Sequence, residues 1–228
     1  TTAWQDDQAR LLRFAGHMIP GDFDPGVLTA MTSEKPPRFA AADLQRLADQ
    51  CRQNVLALVR GAPPNYYLPG CPDGPAEVIA LSVRVGDQAE PSTFSQLSLR
   101  PGVPLQATLF TLCETAAKTL AASRLAPADL NRVQVGLTLL YDPAMHGTAS
   151  APDLGGVNPQ RRAVLVVEYG RSAWVFDPSR TVQQLLQTAS QAAQVASPAQ
   201  ASVFSLAAQS TERSIQVSSV LPPRIVPQ

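Results

Sequence analysis

The chain is short of most side chains that carry chemistry. It has two histidines, His17 and His146, and three cysteines, Cys51, Cys71 and Cys113, no two of which form a C-x-x-C pair. A structural zinc site of four Cys/His ligands is all but excluded by those numbers. An odd, scattered set of thiols also argues against a disulfide framework and suits a reducing compartment. Neither sign of charge is in excess, with 18 Lys+Arg against 18 Asp+Glu. No global field therefore steers the chain toward nucleic acid or an anionic membrane. No apolar run approaches the roughly 18–20 residues that span a bilayer. No charged region leads into an apolar stretch and a small-residue cleavage site. The expectation is a cytoplasmic protein without nucleic-acid or membrane partners. Phosphate loops are missing too, since Gly155-Gly156 runs into Val157-Asn158-Pro159 rather than a helix. Neither Ser172 nor Ser179 lies in a G-x-S-x-G elbow. No cofactor and no metal is expected.

Prolines, by contrast, are abundant. There are 21, and they fall between periodic segments, so they mark stiff loops rather than a disordered tract. A hydrophobic content of 45% is enough for a sizeable core. Residues 1–38 read as an amphipathic helix over Thr2–Ile19 followed by a linker, and together they form an N-terminal extension. Leu44, Leu47, Ala48, Cys51, Val55, Leu58 and Val59 follow helical spacing up to a stop at Gly61. Ala62 to Gly74 is a Pro-rich loop, expected to be laid over the core by Tyr66 and Tyr67. Glu77 to Val85 alternates as a strand, with Phe94 to Leu99 as its partner. Pro104 opens a helix whose wide apolar face includes Leu105, Leu109, Leu112, Cys113 and Leu120.

Val133 to Tyr141 predicts a central strand. Asp142 to Gln160 then reads as a long irregular loop. Ala163 to Tyr169 and Ser172 to Phe176 predict a hairpin joined at Gly170-Arg171. A helix over Val182–Ala193 follows, with Asp177 or Ser179 as its cap. Ser202 to Leu206 and Ile215 to Val220 are expected to be short strands, and 221–228 a Pro-rich tail. Neighbouring strands without helical crossovers imply a largely antiparallel or mixed sheet flanked by three helices. The class is α+β, in one main domain over 39–220.

This order of elements resembles the AMMECR domain family over roughly residues 40–195. The resemblance is carried by the helix from Leu44 through Val55, the strand Val78–Val85, the helix from Pro104 to Leu120, the strand from Val133 to Leu140, and the closing hairpin and helix from Val164 to Ala193. The family's Leu-Arg-Gly-Cys-Ile-Gly turn after the first strand is replaced by Ser98-Leu99-Arg100-Pro101-Gly102, which has no cysteine. Leu68-Pro69-Gly70-Cys71 is similar but precedes the strand. The resemblance therefore implies architecture without that site. It also implies a bacterial accessory or interaction module that works with a Memo-like or radical-SAM partner protein.

The residues themselves offer one alternative, a small-molecule or metal-dependent enzyme or ligand binder using residues 142–162. Asp142, His146 and Asp153 form a His/carboxylate cluster in the long loop, where a carboxylate–imidazole pair can serve as a general base. The bland reading, about four times as weighty, makes Asp142 a turn cap and His146 a hydrogen-bonded loop residue. Arg161 and Arg162, with Arg171 on the hairpin, can grip an anion bidentately, although solvated strand ends explain them more simply. Cys71 is the cysteine placed in a turn, but no neighbouring histidine activates it. Cys51 and Cys113 read as core, and so do Trp174 and Phe176 on their strand.

Overall fold

The computed structural model describes residues 37–88, 91–99, 102–123 and 125–219. The expected helix over Thr2–Ile19, most of the linker and the tail at 221–228 lie outside those residues. The chain is α+β. Helix α1 (Ala41–Val59) leads into the proline-rich loop and a two-residue strand β1 (Pro75–Ala76). Strands β2 (Val78–Val85), β3 (Ser92–Leu97) and β4 (Val103–Pro104) follow, then helix α2 (Leu105–Ala122) and a single turn α3 (Pro127–Leu130). The second half holds β5 (Val133–Thr148), β6 (Ala151–Pro152), β7 (Arg162–Glu168) and β8 (Arg171–Phe176). Helix α4 (Val182–Ala192) and strands β9 (Ser202–Ser210) and β10 (Ile215–Ser219) complete it.

The main sheet runs β10-β8-β7-β9-β5-β2-β3, with β6 paired to the end of β5, and every pairing in it is antiparallel. The strand at 202–206 proves longer than expected. As β9 it reaches Ser210 and sits between β5 and β7, near the middle of the sheet. The β7–β8 turn falls on Tyr169-Gly170, one residue earlier than expected. Both have positive φ, 45° and 80°, the geometry of a two-residue hairpin whose twist matches its strands. Helix α4 is capped neither by Asp177 nor by Ser179. Thr181 does it, in a capping box with Gln184, while Asp177 Oδ1 accepts from Ser179.

Alternation along the strands divides the apolar residues among three clusters. Ile79, Leu81, Val83, Leu137 and Leu139 face outward beneath α1 and α2. Val164, Val166, Val175 and Val203 face outward beneath α4. Their opposite-facing neighbours Val78, Ala80, Leu140, Leu165, Trp174, Phe176, Leu206 and Ile215 share a third cluster, with Leu97 of β3 and Val217 of β10 packed against it. That face joins both edge strands in one core, and Thr93 of β3 and Ile215 of β10 line the same cavity, so the face is concave. The sheet is therefore curled into an open barrel, helices outside, with a seam between β3 and β10. Among the described residues no helix is long and apolar enough to cross a membrane.

Candidate functional site

The segment expected to be a loop from Asp142 is largely strand. β5 continues through His146 to Thr148, a turn at 149–150 leads into β6, and residues 153–161 remain irregular. Periodicity ends at Tyr141 because the strand is bulged twice. Tyr141–Ala144 spans three residues against two on β9, and Met145–Thr148 does so again. Each extra residue reverses the side-chain alternation. Asp142 takes φ 55° at the first bulge and Gly147 φ 84° at the second.

A bulge leaves ladder groups unpaired, and here Arg162 takes them up. Its Nη2 donates to the Asp142 carbonyl at 2.6 Å and to the Ser205 carbonyl at 3.1 Å. Its Nε donates to Ser205 Oγ at 2.9 Å, and Nη1 lies 3.4 Å from Asp142 Oδ2. His146 Nδ1 is 2.6 Å from the carbonyl oxygen of Asp153, and its Nε2 is 2.7 Å from Ser205 Oγ. A carbonyl only accepts, so Nδ1 carries the proton, and Nε2 of the neutral ring accepts from the serine hydroxyl. Burial pushes the His146 pKa down, against the pull of the Asp153 carbonyl.

Asp142, His146, Arg162 and Ser205 thus converge, and Asp153 joins them through its backbone. The side-chain carboxylate of Asp153 accepts from Gly155 N–H, and its charge draws the His146 pKa up against the larger effect of burial. Ser205 is not marked out by the sequence pattern. A lone hydroxyl between Phe204 and Leu206 was its sole signal. A serine bonded to a histidine that a third group orients has the connectivity of a nucleophilic centre. Ser205 is fully buried, however, and its oxygen already accepts from Arg162. The cluster fastens a bulge.

Arg161 is exposed, and Arg171 lies at the far end of β7, roughly 20 Å from Arg162 at about 3.3 Å per residue. Arg171 pairs with the buried Glu168. That carboxylate also accepts N–H groups of Ala196 at 2.9 Å and Ser197 at 2.6 Å, which hold its pKa below the usual range. No anion grip joins the three arginines. Cys71 is buried beneath α1 and α2, and burial raises its thiol pKa, the reverse of an activated nucleophile. Cys51 and Cys113 are core. Among the described residues no group of three His, Cys, Asp or Glu side chains is placed to hold a metal ion.

Two other places have the form of sites. The first is the loop at 62–74, pinned by two buried polar side chains on the apolar faces of the outer helices. Asn54 of α1 donates to the Asn65 carbonyl and accepts its N–H, both at 2.9 Å. Gln106 of α2 accepts from Leu68 N at 2.8 Å and donates to the carbonyls of Cys71 and Pro72. Tyr66 and Tyr67, expected to be laid over the core, are instead 75% and 64% exposed. Tyr66 stacks on Phe110 of α2 with ring centroids 4.2 Å apart.

The second is a cavity of about 480 Å³ at one end of the seam. Arg84, Pro91 and Thr93 line it from the β2–β3 side, and Phe176, Asp177, Arg180, Ile215 and Gln216 from the β8–β10 side.

No protein-family model and no curated protein matches the chain. Its fold is similar to that of the uncharacterized protein PH0010 from Pyrococcus horikoshii, with a TM-score of 0.54. The sequences are 13% identical, and the match covers 74% of this chain and 90% of that one. The likeness is one of fold.

Proposed function

We propose that the chain is an AMMECR-like accessory domain that holds a partner protein and catalyses no reaction of its own. The observation that supports this reading is the way Tyr66 and Tyr67 are presented. Asn54 and Gln106 fasten the loop from beneath, so the two rings stand in solvent on backbone that is already ordered. Aromatic side chains with a polar tip dominate binding energy at protein interfaces, and a surface set in advance loses little entropy on association. The resemblance implies a partner of the Memo-like or radical-SAM kind. The enzyme reading of residues 142–162 has less support, because its histidine and Arg162 are engaged with a buried serine and with backbone.

The test is a Tyr66→Ser/Tyr67→Ser variant, which leaves both anchors in place. Affinity capture from the native host is followed by purification of the recovered protein and titration against each form of the chain. The double variant is expected to bind at least about tenfold more weakly, as interface aromatics are each worth roughly 1–2 kcal/mol or more. Equal binding by both forms would remove the aromatic surface from the proposal. A host extract with no protein that binds the purified chain would defeat the accessory reading itself.

A further inference from the structure

We propose that the seam cavity is a binding site for a small oxyanion-bearing molecule, a carboxylate or a phosphate monoester, gripped between Arg84 and Arg180. This proposal is independent of the aromatic surface and concerns the opposite edges of the curled sheet. Among the described residues the cavity holds two guanidinium groups, one from each side of the seam, and one lining carboxylate, Asp177. Each arginine is oriented by a partner. Arg84 Nη1 is 2.7 Å from Glu212 Oε2. Arg180 Nε is 2.9 Å from Asp177 Oδ2, and its Nη1 donates to Thr188 Oγ1 at 2.9 Å. A guanidinium carries five N–H donors, so these bonds leave part of each fork for an anion, whose oxygens match that geometry.

The surroundings fit a small polar ligand. Thr93 and Ser214 bring hydroxyls and Gln216 an amide, while Pro91, Phe176 and Ile215 supply an apolar wall. One step farther along the same inner face, Ser82 pairs across the strands with Thr93. It is 1% exposed, and its hydroxyl has no hydrogen-bond partner among the described residues. A buried hydroxyl without a partner is costly, and Ser82 makes the inner face behind the cavity polar. The volume lies within the range of small-molecule sites. Gly136 of β5 lies beneath Glu212, where an added Cβ would stand 1.9 Å from Glu212 Oε1. Glycine there is what lets Glu212 lie flat and steer Arg84.

The test is an NMR titration of the chain with sodium phosphate and, separately, sodium succinate, against sodium chloride at matched ionic strength. Saturable shifts of the Thr93, Ser214 and Gln216 amides are expected with at least one oxyanion and not with chloride. Tighter saturation by phosphate assigns the phosphate monoester class, and tighter saturation by succinate the carboxylate class. Arg180→Gln, at a solvent-exposed position, is expected to weaken the binding about tenfold. Gly136→Ala displaces Glu212 from Arg84 and is expected to weaken the binding in a protein whose spectrum stays dispersed. Shifts that match chloride, unchanged affinity in Arg180→Gln, or undiminished binding in folded Gly136→Ala would each overturn the proposal.

Discussion

His146 is the residue in which titration and fold are most directly coupled. In the folded chain its Nε2 accepts from Ser205 and its pKa lies below the ordinary value of 6.5. A proton on Nε2 would remove that acceptor and bring a positive charge toward Arg162. The sign follows from linkage. The unfolded chain binds the proton more readily, so the contribution of His146 to stability is complete above pH 6.5. It is lost as pH falls through the lowered folded pKa. Chemical denaturation between pH 5 and 7 is therefore expected to show stability rising with pH, and His146→Gln, which keeps a polar side chain, to flatten that slope. A slope that persists unchanged in the variant would assign the dependence elsewhere. Glu168 works in the same direction at lower pH. Its pKa is depressed by N–H groups of Ala196 and Ser197 and by Arg171, so its contribution fades only below the ordinary carboxylate range.

At the scale of elements, the helices were legible and the polar side chains that position their loops were not. Leu44, Leu47, Ala48, Cys51 and Val55 announce the buried face of α1 by their spacing. Asn54 lies on the same buried face at 3% exposure, and spacing alone makes it a flaw in the stripe. Its purpose shows only where Asn65 arrives with one N–H and one carbonyl to satisfy. Gln106 in α2 is the same case. The exposure of Tyr66 and Tyr67 is hidden for the same reason, because nothing local says which residues of a Pro-rich loop its anchors turn inward. Asn54→Ala leaves a backbone donor and acceptor of Asn65 without partners and is expected to cost about 2–3 kcal/mol. Hydrogen exchange is the check. The Asn65 and Leu68 amides should lose protection well before those of β5. Equal protection in wild type and variant would mean that the loop is held by its prolines alone.

Across the whole molecule, pattern and topology part company at β5 and β9. Alternation from Val133 to Tyr141 predicts a central strand. The bulges at Asp142 and Gly147 then break the alternation, so a strand of 16 residues reads as one of nine. The full length of β9 is hidden for a different reason, since Ala207, Ala208, Gln209 and Ser210 carry little β-propensity and are held by their neighbours. The candidate cluster was legible only as residue types, because Ser205 is 59 residues from His146 and comes to it through the β5–β9 pairing. The seam was not legible at all, for it depends on curvature that bulges impose on the sheet. The same curvature sets where the structure opens. β5 and β9 are paired on both sides and contribute to the inner core, whereas among the described residues β3 and β10 each have a neighbour on one side only. Native-state hydrogen exchange should therefore rank β5, β7 and β9 as slowest, near the global unfolding limit, with β3 and β10 exchanging through local opening. An oxyanion in the seam bridges those two edges, so it should slow exchange in β3 and β10 and leave β5 nearly unchanged. If protection rose uniformly across the sheet, the anion would be acting on global stability rather than at the seam.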